Sequence, residues 1–280
     1  MPVEAIVAAL LSAVIHASWN ATLKSGGDRF ADLAIMGLGG MLLGVAIIAW
    51  RGIPPAVAWP FLLGSSLVHI VYWTALNRGY ASGDLSHVYT IARGLAPLLV
   101  TLGGALWVGE HPSPAALAGI LLVSLGIAAI GLTRHASLTA TAWAGLTGLT
   151  IAIYSLLDAL GARASGDAIT YMGFSSFATF LPATAFGLWQ RGIRPLRANM
   201  RGRAPHLLAA GAMTVVGFGL ALWAQTIAPI AYVTALRETS VVFGAAIAAV
   251  LLREPVGWRR WLGAVIVAAG AILLAFGSRA

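Results

Sequence analysis

Four ionisable side chains stand inside long apolar stretches of this sequence, and they are the residues best suited to chemistry there. They are Arg93, Asp158, Arg237 and Glu238. A charged side chain deep in a bilayer costs at least about 2.5–3.5 kcal/mol, so each should face a partner or a water-filled cavity. The two arginines could bind a carboxylate, phosphate or phosphonate through paired hydrogen bonds. Equally, they could pair with an acid or with helix-end carbonyls, or reach a membrane interface.

The two acids of this set, Asp158 and Glu238, are the only carboxyl groups clearly within apolar stretches, which makes them candidates for proton coupling. The alternative is that they compensate nearby positive charges. Glu238 follows Arg237 directly, and adjacent residues on a helix point in different directions. These two are therefore not expected to pair with each other.

His16, Trp19 and Asn20 have the spacing i, i+3 and i+4, which places them on one face of a helix. They could line a cavity and bind substrate, with Trp19 stacking on an aromatic or cationic ligand. Alternatively, His16 and Asn20 bond to a neighbouring helix while Trp19 packs. Weaker candidates of the same kind are Tyr72, Trp73, Asn77, His87, Tyr89, Trp223, Gln225 and Tyr232.

The elements that must position these residues are membrane-spanning helices. Of the 280 residues, 59% are apolar and 9% are charged, whereas a soluble domain usually carries about 25% charged residues. Apolar runs of roughly 20 residues, enough to cross about 30 Å of hydrocarbon, recur ten times. The predicted spans are 3–23, 31–50, 57–77, 86–108, 114–132, 141–161, 168–189, 205–227, 232–252 and 257–276. We therefore predict an all-α integral membrane protein.

The two halves of the chain resemble each other when one is shifted along the sequence. A shift of 144 residues aligns Arg93 with Arg237 and Glu110 with Glu254, and one of 138 aligns His16 with Tyr154 and Asn20 with Asp158. Since each half has five helices, the second half must enter the membrane from the opposite side. We predict two inverted repeats, residues 1–135 and 136–280, around a central cavity.

This repeat also predicts where the polar residues lie. Counting crossings puts Arg93 and Asn20 toward one face of the membrane, and Arg237 and Asp158 toward the other. Two polar clusters should therefore flank the cavity, one on each side. Each cluster could bind a charged substrate group or close a gate, and Tyr154, as the counterpart of His16, joins the substrate-binding or gating candidates.

Several other functions are excluded by the residues themselves. The chain has no cysteine, and no GxSxG, HExxH or Walker motif occurs. The six histidines do not form a metal-ligand cluster in sequence. We therefore expect no enzyme, no cofactor and no metal. The net charge of +8 lies mostly in short loops, which points to a lipid bilayer as partner and not to nucleic acid.

Two stretches resemble the fourth and fifth helices of the EamA-type transporters of the drug/metabolite transporter superfamily. The first is 92–97 with Glu110, Gly119 and Gly126, and the second is 235–240 with Glu254, Gly263 and Gly270. His16 to Asn20, followed by Lys24, is similar to the first helix of one bacterial branch. The resemblance implies a cavity lined mainly by spans one, three, four, six, eight and nine.

This resemblance implies a secondary transporter in the bacterial inner membrane. We expect it to export a small amphiphilic or anionic metabolite, such as an amino acid, by alternating access. The alternative is a multi-pass membrane sensor or scaffold that transports nothing. Substrate identity, direction, coupling ion and oligomeric state, monomer or homodimer, stay open. For Glu110 and Glu254 the simplest interpretation is a favourable charge near the N-termini of spans five and ten.

The orientation in the membrane has two conflicting indications. Twelve of the 17 Lys and Arg residues fall in loops after odd-numbered spans, and three fall in even loops or termini. The positive-inside rule then places both termini outside the cell. The family resemblance implies the reverse, with cytoplasmic termini.

Overall fold

The computed structural model describes residues 1–24, 29–131, 137–250, 253 and 257–277. These residues form α-helices and no strand. The helices are α1 (Val3–Lys24), α2 (Arg29–Arg51), α3 (Trp59–Ser82), α4 (Leu85–Gly103), α5 (Pro114–Gly131), α6 (Leu138–Ser165), α7 (Ala168–Arg191), α8 (Ile193–Ile227), α9 (Ile230–Arg237), α10 (Ser240–Val250) and α11 (Trp258–Gly277). A 3₁₀ turn, Ala56–Ala58, precedes α3, and a π turn, Gly104–Val108, continues α4.

The predicted all-helical membrane protein is confirmed. Within the described residues, nine helical stretches are long and apolar enough to cross a membrane, and α7, with 24 residues, corresponds to the remaining predicted span. Local capping explains several helix starts. The Ser113 hydroxyl accepts a hydrogen bond from Ala116 N at the start of α5, and Asp84 and Asp167 cap α4 and α7 in the same way.

Helix α8 begins at Ile193, well before the predicted start at residue 205. The early part of α8, residues 193–204, contains four arginines and two alanines, which are good helix formers. Hydropathy marks only the apolar part of a helix, so it missed this polar extension. The apolar part itself, Gly202–Ile227, agrees with the prediction.

The predicted ninth span, 232–252, is not one helix. It consists of α9, which ends at Arg237, and α10, which begins at Ser240. At the break, Glu238 N donates to Ala235 O and Thr239 N to Leu236 O, both at 3.1 Å. These tight i to i+3 bonds satisfy the backbone at the turn. The break leaves Arg237 at the C-terminus of α9 and Glu238 next to the N-terminus of α10. Each side chain therefore carries a charge opposite in sign to the partial charge of the helix end beside it, which is favourable.

The two halves meet where α5 packs against α11. A Cβ atom on Gly119 would lie 2.9 Å from Gly270 O, and one on Gly126 would lie 2.9 Å from Gly263 O. The early glycine of one helix thus faces the late glycine of the other, so the two helices run antiparallel. The repeat alignment pairs Gly119 with Gly263 and Gly126 with Gly270, so it maps each of these two contacts onto the other. This is the relation expected of inverted copies related by a pseudo-two-fold axis.

The candidate functional residues lie on the inner helices. Helix α9 packs against α1, α4 and α6, and α4 packs against α6, with α3 against α6 and α8 against α1. We call the end of the bundle where α1 begins the amino-terminal face; α2, α4, α6 and α8 end there. An ion pair of 2.7 Å between Arg51 and Asp167 lies at that face, and one of 2.9 Å between Arg203 and Asp32 lies at the opposite face.

Candidate functional site

Arg93 of α4 forms an ion pair with Glu238 at the break between α9 and α10. Its Nε atom lies 2.9 Å from Glu238 Oε2, and the side chains are only 13% and 3% exposed. The Nε–H is not aligned with the oxygen, so the contact is an ion pair and not a linear hydrogen bond. The Arg93 guanidinium also lies 5.9 Å from the centre of the Tyr89 ring. Of the alternatives for Arg93, the structure therefore shows pairing with an acid, and Glu238 compensates its charge.

Arg237 has a different environment, although the repeat aligns it with Arg93. Its Nε atom is buried without a hydrogen-bond partner, and the guanidinium forms no ion pair within the described residues. Its electrostatic neighbours are Arg93, Tyr154 and Glu238. Two arginines and one glutamate therefore share this site, which leaves one positive charge in excess.

This arrangement corrects the prediction of two polar clusters on opposite sides of the cavity. Arg93 and Arg237 approach the middle of the bundle from opposite faces, and both side chains are long enough to meet there. The break in the ninth span brings Glu238 between them. The sequence predicted two separate groups of charges, but the charged groups of Arg93, Arg237 and Glu238 form one cluster.

His16 of α1 and Tyr154 of α6 complete this cluster. Both side chains interact electrostatically with Arg93 and with Arg237. Helices surround all four of these residues, yet each remains partly accessible. They therefore border an open space inside the bundle. We call His16, Arg93, Tyr154, Arg237 and Glu238 the central cluster.

Trp19 and Asn20 occupy different surroundings. The Trp19 ring lies edge-on to His16, with 4.9 Å between ring centres, and packs against the apolar contact between α2 and α8. The Asn20 amide donates to the His16 carbonyl at 2.8 Å. The structure thus shows packing for Trp19 and a bond within α1 for Asn20.

Aromatic side chains from α3 and α6 form a wall beside the central cluster. The His69 ring stacks on Tyr154 with 4.1 Å between centres, and Tyr72 lies edge-on to Tyr154 at 5.7 Å. Trp73 is next to Tyr72, and its buried Nε1 has no hydrogen-bond partner. His69 was not among the residues predicted from the sequence. It is an ionisable side chain in an apolar span, and that feature would have identified it as a candidate.

Asp158 lies outside the central cluster. Its side chain is fully buried, and one carboxylate oxygen accepts a hydrogen bond of 3.0 Å from the Tyr171 hydroxyl. Ser65 of α3, itself buried on a helix that packs against α6, is an electrostatic neighbour of this carboxyl group. Its other oxygen has no aligned hydrogen bond. Asn20, its counterpart in the repeat, bonds only within its own helix, so the aligned positions differ chemically.

Glu110 and Arg163 join four segments at the amino-terminal face. Arg163 donates to Glu110 at 2.7 Å and to the carbonyls of Gln225 and Ala228 at 2.8 and 2.9 Å. The other Glu110 oxygen accepts a hydrogen bond from Ile230 N at 2.7 Å. We call this network the Glu110–Arg163 clamp. Glu110 therefore caps α9, whereas the sequence had suggested a role near the start of the fifth span. Its counterpart Glu254 lies outside the described residues.

Comparisons with known proteins agree with this architecture. The model of the EamA-like transporter family matches residues 3–132 and again residues 138–276. A solved structure described only as "Crystal structure of protein" superposes with a TM-score of 0.73 at 18% identity, covering 99% of this chain and 98% of the other. At that identity the likeness concerns the fold alone. A search of curated proteins finds no significant match.

The two family matches cover nearly the whole chain, one in each half, and they agree with the antiparallel glycine contact between α5 and α11. The apolar helices support a multi-pass membrane protein. The chain therefore belongs to the EamA-like transporter family, within the drug/metabolite transporter superfamily.

Proposed function

We propose that this protein is a secondary transporter that exports a small amphiphilic or anionic metabolite, such as an amino acid, by alternating access. The observation that carries the proposal is Arg237. A guanidinium inside the bundle, without a hydrogen bond or ion pair in the described part of the chain, is costly unless it serves a ligand. The bacterial inner membrane is the location we propose, because of the resemblance in the first helix.

The chemistry of the central cluster favours a carboxylate or a similar anion. Arg93 is already paired with Glu238, so Arg237 remains available to bind an anionic group through two parallel hydrogen bonds. His16 and Tyr154 lie close enough to add donors. The wall of His69, Tyr72 and Tyr154 offers stacking surfaces for an apolar or planar part of the same molecule. An anionic head and an apolar body together describe an amphiphilic anion.

The broken ninth span supports alternating access. Transporters of inverted-repeat architecture use discontinuous helices at the substrate site, and one repeat rocks against the other. Here the break lies at Glu238 and Thr239, so α9 and α10 can change their mutual angle at the residue that holds Arg93. The Arg93–Glu238 ion pair is thus a gate candidate, and Arg237 is the substrate-binding candidate.

The test is transport and binding by purified protein with solutes that differ only in charge. Phenylalanine and its uncharged-carboxyl analogue phenylalaninamide, as one pair of a wider metabolite panel, are offered to proteoliposomes with and without a proton gradient. We expect carboxylate members of the panel to be transported and to raise the thermal stability of the wild type. Arg237→Gln should abolish both effects, because the anion loses its only unpaired guanidinium.

Arg259→Gln is the matched control, since Arg259 is exposed at the start of α11 beside Trp258. It should behave as the wild type. Wild-type transport by Arg237→Gln would remove this residue from the mechanism. If no solute in the panel moves while a stable protein partner co-purifies, the sensor or scaffold alternative is favoured instead.

A further inference from the structure

We propose that Asp158, Ser65 and His69 form a proton-binding relay beside the central cluster, which couples transport to protons. This inference rests on the proposed function for its role in transport, but the proton site itself can be tested separately. Three helices, α3, α6 and α7, build the relay. Its two ends differ: Asp158 is fully enclosed, whereas His69 is partly accessible and stacks on Tyr154 of the central cluster.

The Asp158 end is built to hold a proton. The residues that face the carboxyl group are Tyr171 from α7, Ser65 from α3 and Tyr154 from its own helix. Among the described residues, no basic side chain forms an ion pair with Asp158. An ionised carboxylate without a cation is expensive in such a place, whereas a protonated one is neutral and can donate from its second oxygen.

The His69 end has a fixed arrangement of its ring nitrogens. Nδ1 lies 2.9 Å from the Ser65 carbonyl and 3.3 Å from the Ser65 hydroxyl. The carbonyl can only accept, so Nδ1 carries a proton and Nε2 has a free lone pair. The Ser65 hydroxyl lies 3.3 Å from His69 Nδ1, and Ser65 is an electrostatic neighbour of Asp158 across the packed helices α3 and α6. We therefore assign its hydroxyl as the bridge between them.

A single proton can pass along this chain with all atoms balanced. A proton from the cavity binds His69 Nε2 and makes the ring cationic. The ring then gives its Nδ1 proton to the Ser65 hydroxyl oxygen, and Ser65 gives its own hydroxyl proton to Asp158. The ring ends neutral with its proton on Nε2, and Asp158 ends protonated. The reverse sequence releases the proton.

The relay is connected to the substrate site through Tyr154. This ring stacks on His69 and interacts with Arg93, Arg237 and Asp158. A negative charge bound at Arg237 would therefore attract a proton to the relay and raise its proton affinity. In return, a proton on the relay would raise the affinity of Arg237 for the anion. A pocket at the amino-terminal face is lined by Ala162, one helical turn beyond Asp158.

The direct test is infrared difference spectroscopy of purified protein during a pH titration. We expect one buried carboxylic acid band that changes with pH in the wild type. Asp158→Asn should remove this band. Asp167→Asn, which changes an exposed acid at the start of the next helix, should keep it. Ser65→Ala and His69→Gln should keep the band but shift the pH at the midpoint of its titration. These two variants still test the relay if Asp158→Asn fails to fold.

An unchanged band in Asp158→Asn, or midpoints in both Ser65→Ala and His69→Gln equal to that of the wild type, would refute the relay. The coupling is tested in proteoliposomes with phenylalanine as probe. Asp158→Asn should retain exchange of labelled for unlabelled phenylalanine without a gradient, but lose accumulation driven by a proton gradient. If Asp158→Asn still accumulates phenylalanine when a proton gradient is applied, the proposed coupling is wrong. Absence of any transport by the wild type would count against the proposed function, while the infrared result still decides the proton site.

Discussion

Arg93 and Arg237 show how one difference between the repeats gives two arginines different tasks. The repeat alignment places Gly94 after Arg93 and Glu238 after Arg237, so only the second half supplies an acid. That acid pairs across the bundle with Arg93 and not with its sequence neighbour. Arg93 is thereby neutralised, whereas Arg237 has no ion pair among the described residues and is the group that we propose binds the ligand. The second half of the protein thus provides both the countercharge and the proposed binding group.

The Arg93–Glu238 pair predicts a distinct pattern of stabilities. Arg93→Gln removes the ion-pair partner of the buried Glu238, and breaking a buried pair in this way costs about 3–5 kcal/mol. The double variant Arg93→Gln/Glu238→Gln removes both charges and should recover most of that loss, while its transport stays impaired. Thermal unfolding of the purified variants in detergent measures the stabilities.

Arg237→Gln is the control for this pattern, because it removes a buried charge without breaking an ion pair. Its stability should equal or exceed that of the wild type, since sites built for function often cost stability. If Arg93→Gln were no less stable than Arg237→Gln, the ion pair would make no measurable contribution to the stability of the fold.

At the scale of helices, the sequence predicted the helix starts that depend only on neighbouring residues. The spans predicted to start at residues 114 and 168 do start there, where Ser113 and Asp167 cap α5 and α7, because a cap needs only the residues beside it. The break after Arg237 has no such marker: residues 235–240 contain neither glycine nor proline. The contact between Arg93 and Glu238 was equally out of reach, because it joins distant segments and depends on how α4 and α9 cross.

Helix α9 connects the Glu110–Arg163 clamp to the central cluster. The clamp holds Ile230, the first residue of α9, and Arg237 is the last residue of the same eight-residue helix. A short, hydrogen-bonded helix moves as a unit, so displacement at one end reaches the other. We therefore expect the intact clamp to fix the position of α9 at the amino-terminal side of the central cluster.

The clamp predicts that Glu110→Gln opens the amino-terminal side. The chain has no cysteine, so one introduced at Thr234 of α9, which is buried at 5% exposure, can be labelled without background. Reaction of Thr234→Cys with a maleimide in lipid nanodiscs should be faster when Glu110→Gln is present, because Arg163 then loses its countercharge and α9 loses a charged cap.

The matched control is Asp167→Asn, which weakens another ion pair at the same face. Burial acts to raise the pKa of Asp167, but hydrogen bonds from Thr170 and Arg51 outweigh it and hold the pKa below its usual range. This pair is therefore formed at neutral pH, yet it joins α2 to α7 and does not touch α9. Labelling of Thr234→Cys should stay unchanged in Asp167→Asn. Equal acceleration by both substitutions would show general loosening and no role for the clamp.

At the scale of the whole molecule, α5 and α11 form a glycine-lined joint between the halves, which also meet where α2 packs against α7 and α8 and where α3 packs against α6. Lipid removes the hydrophobic drive for helices to associate, so membrane helices rely on close packing of small residues. The four glycines at this contact bring backbone against backbone, with reciprocal distances of 2.6–2.9 Å from a built Cβ to the opposing carbonyl oxygen. The inner helices can then carry charges and a break, because the outer joint supplies tight packing.

This division predicts that Gly126→Ala and Gly145→Ala have opposite effects. A methyl group on Gly126 would lie 2.9 Å from Gly263 O and from Val267 N, both backbone atoms, so α5 and α11 must separate at a cost of about 1–3 kcal/mol. Gly145 in α6 has no atom within 4 Å of the same methyl position. There alanine should be neutral or stabilising by up to about 1 kcal/mol, from helix propensity alone. Thermal unfolding in detergent compares the two, and equal melting temperatures would mean that the glycine joint does not hold the halves together.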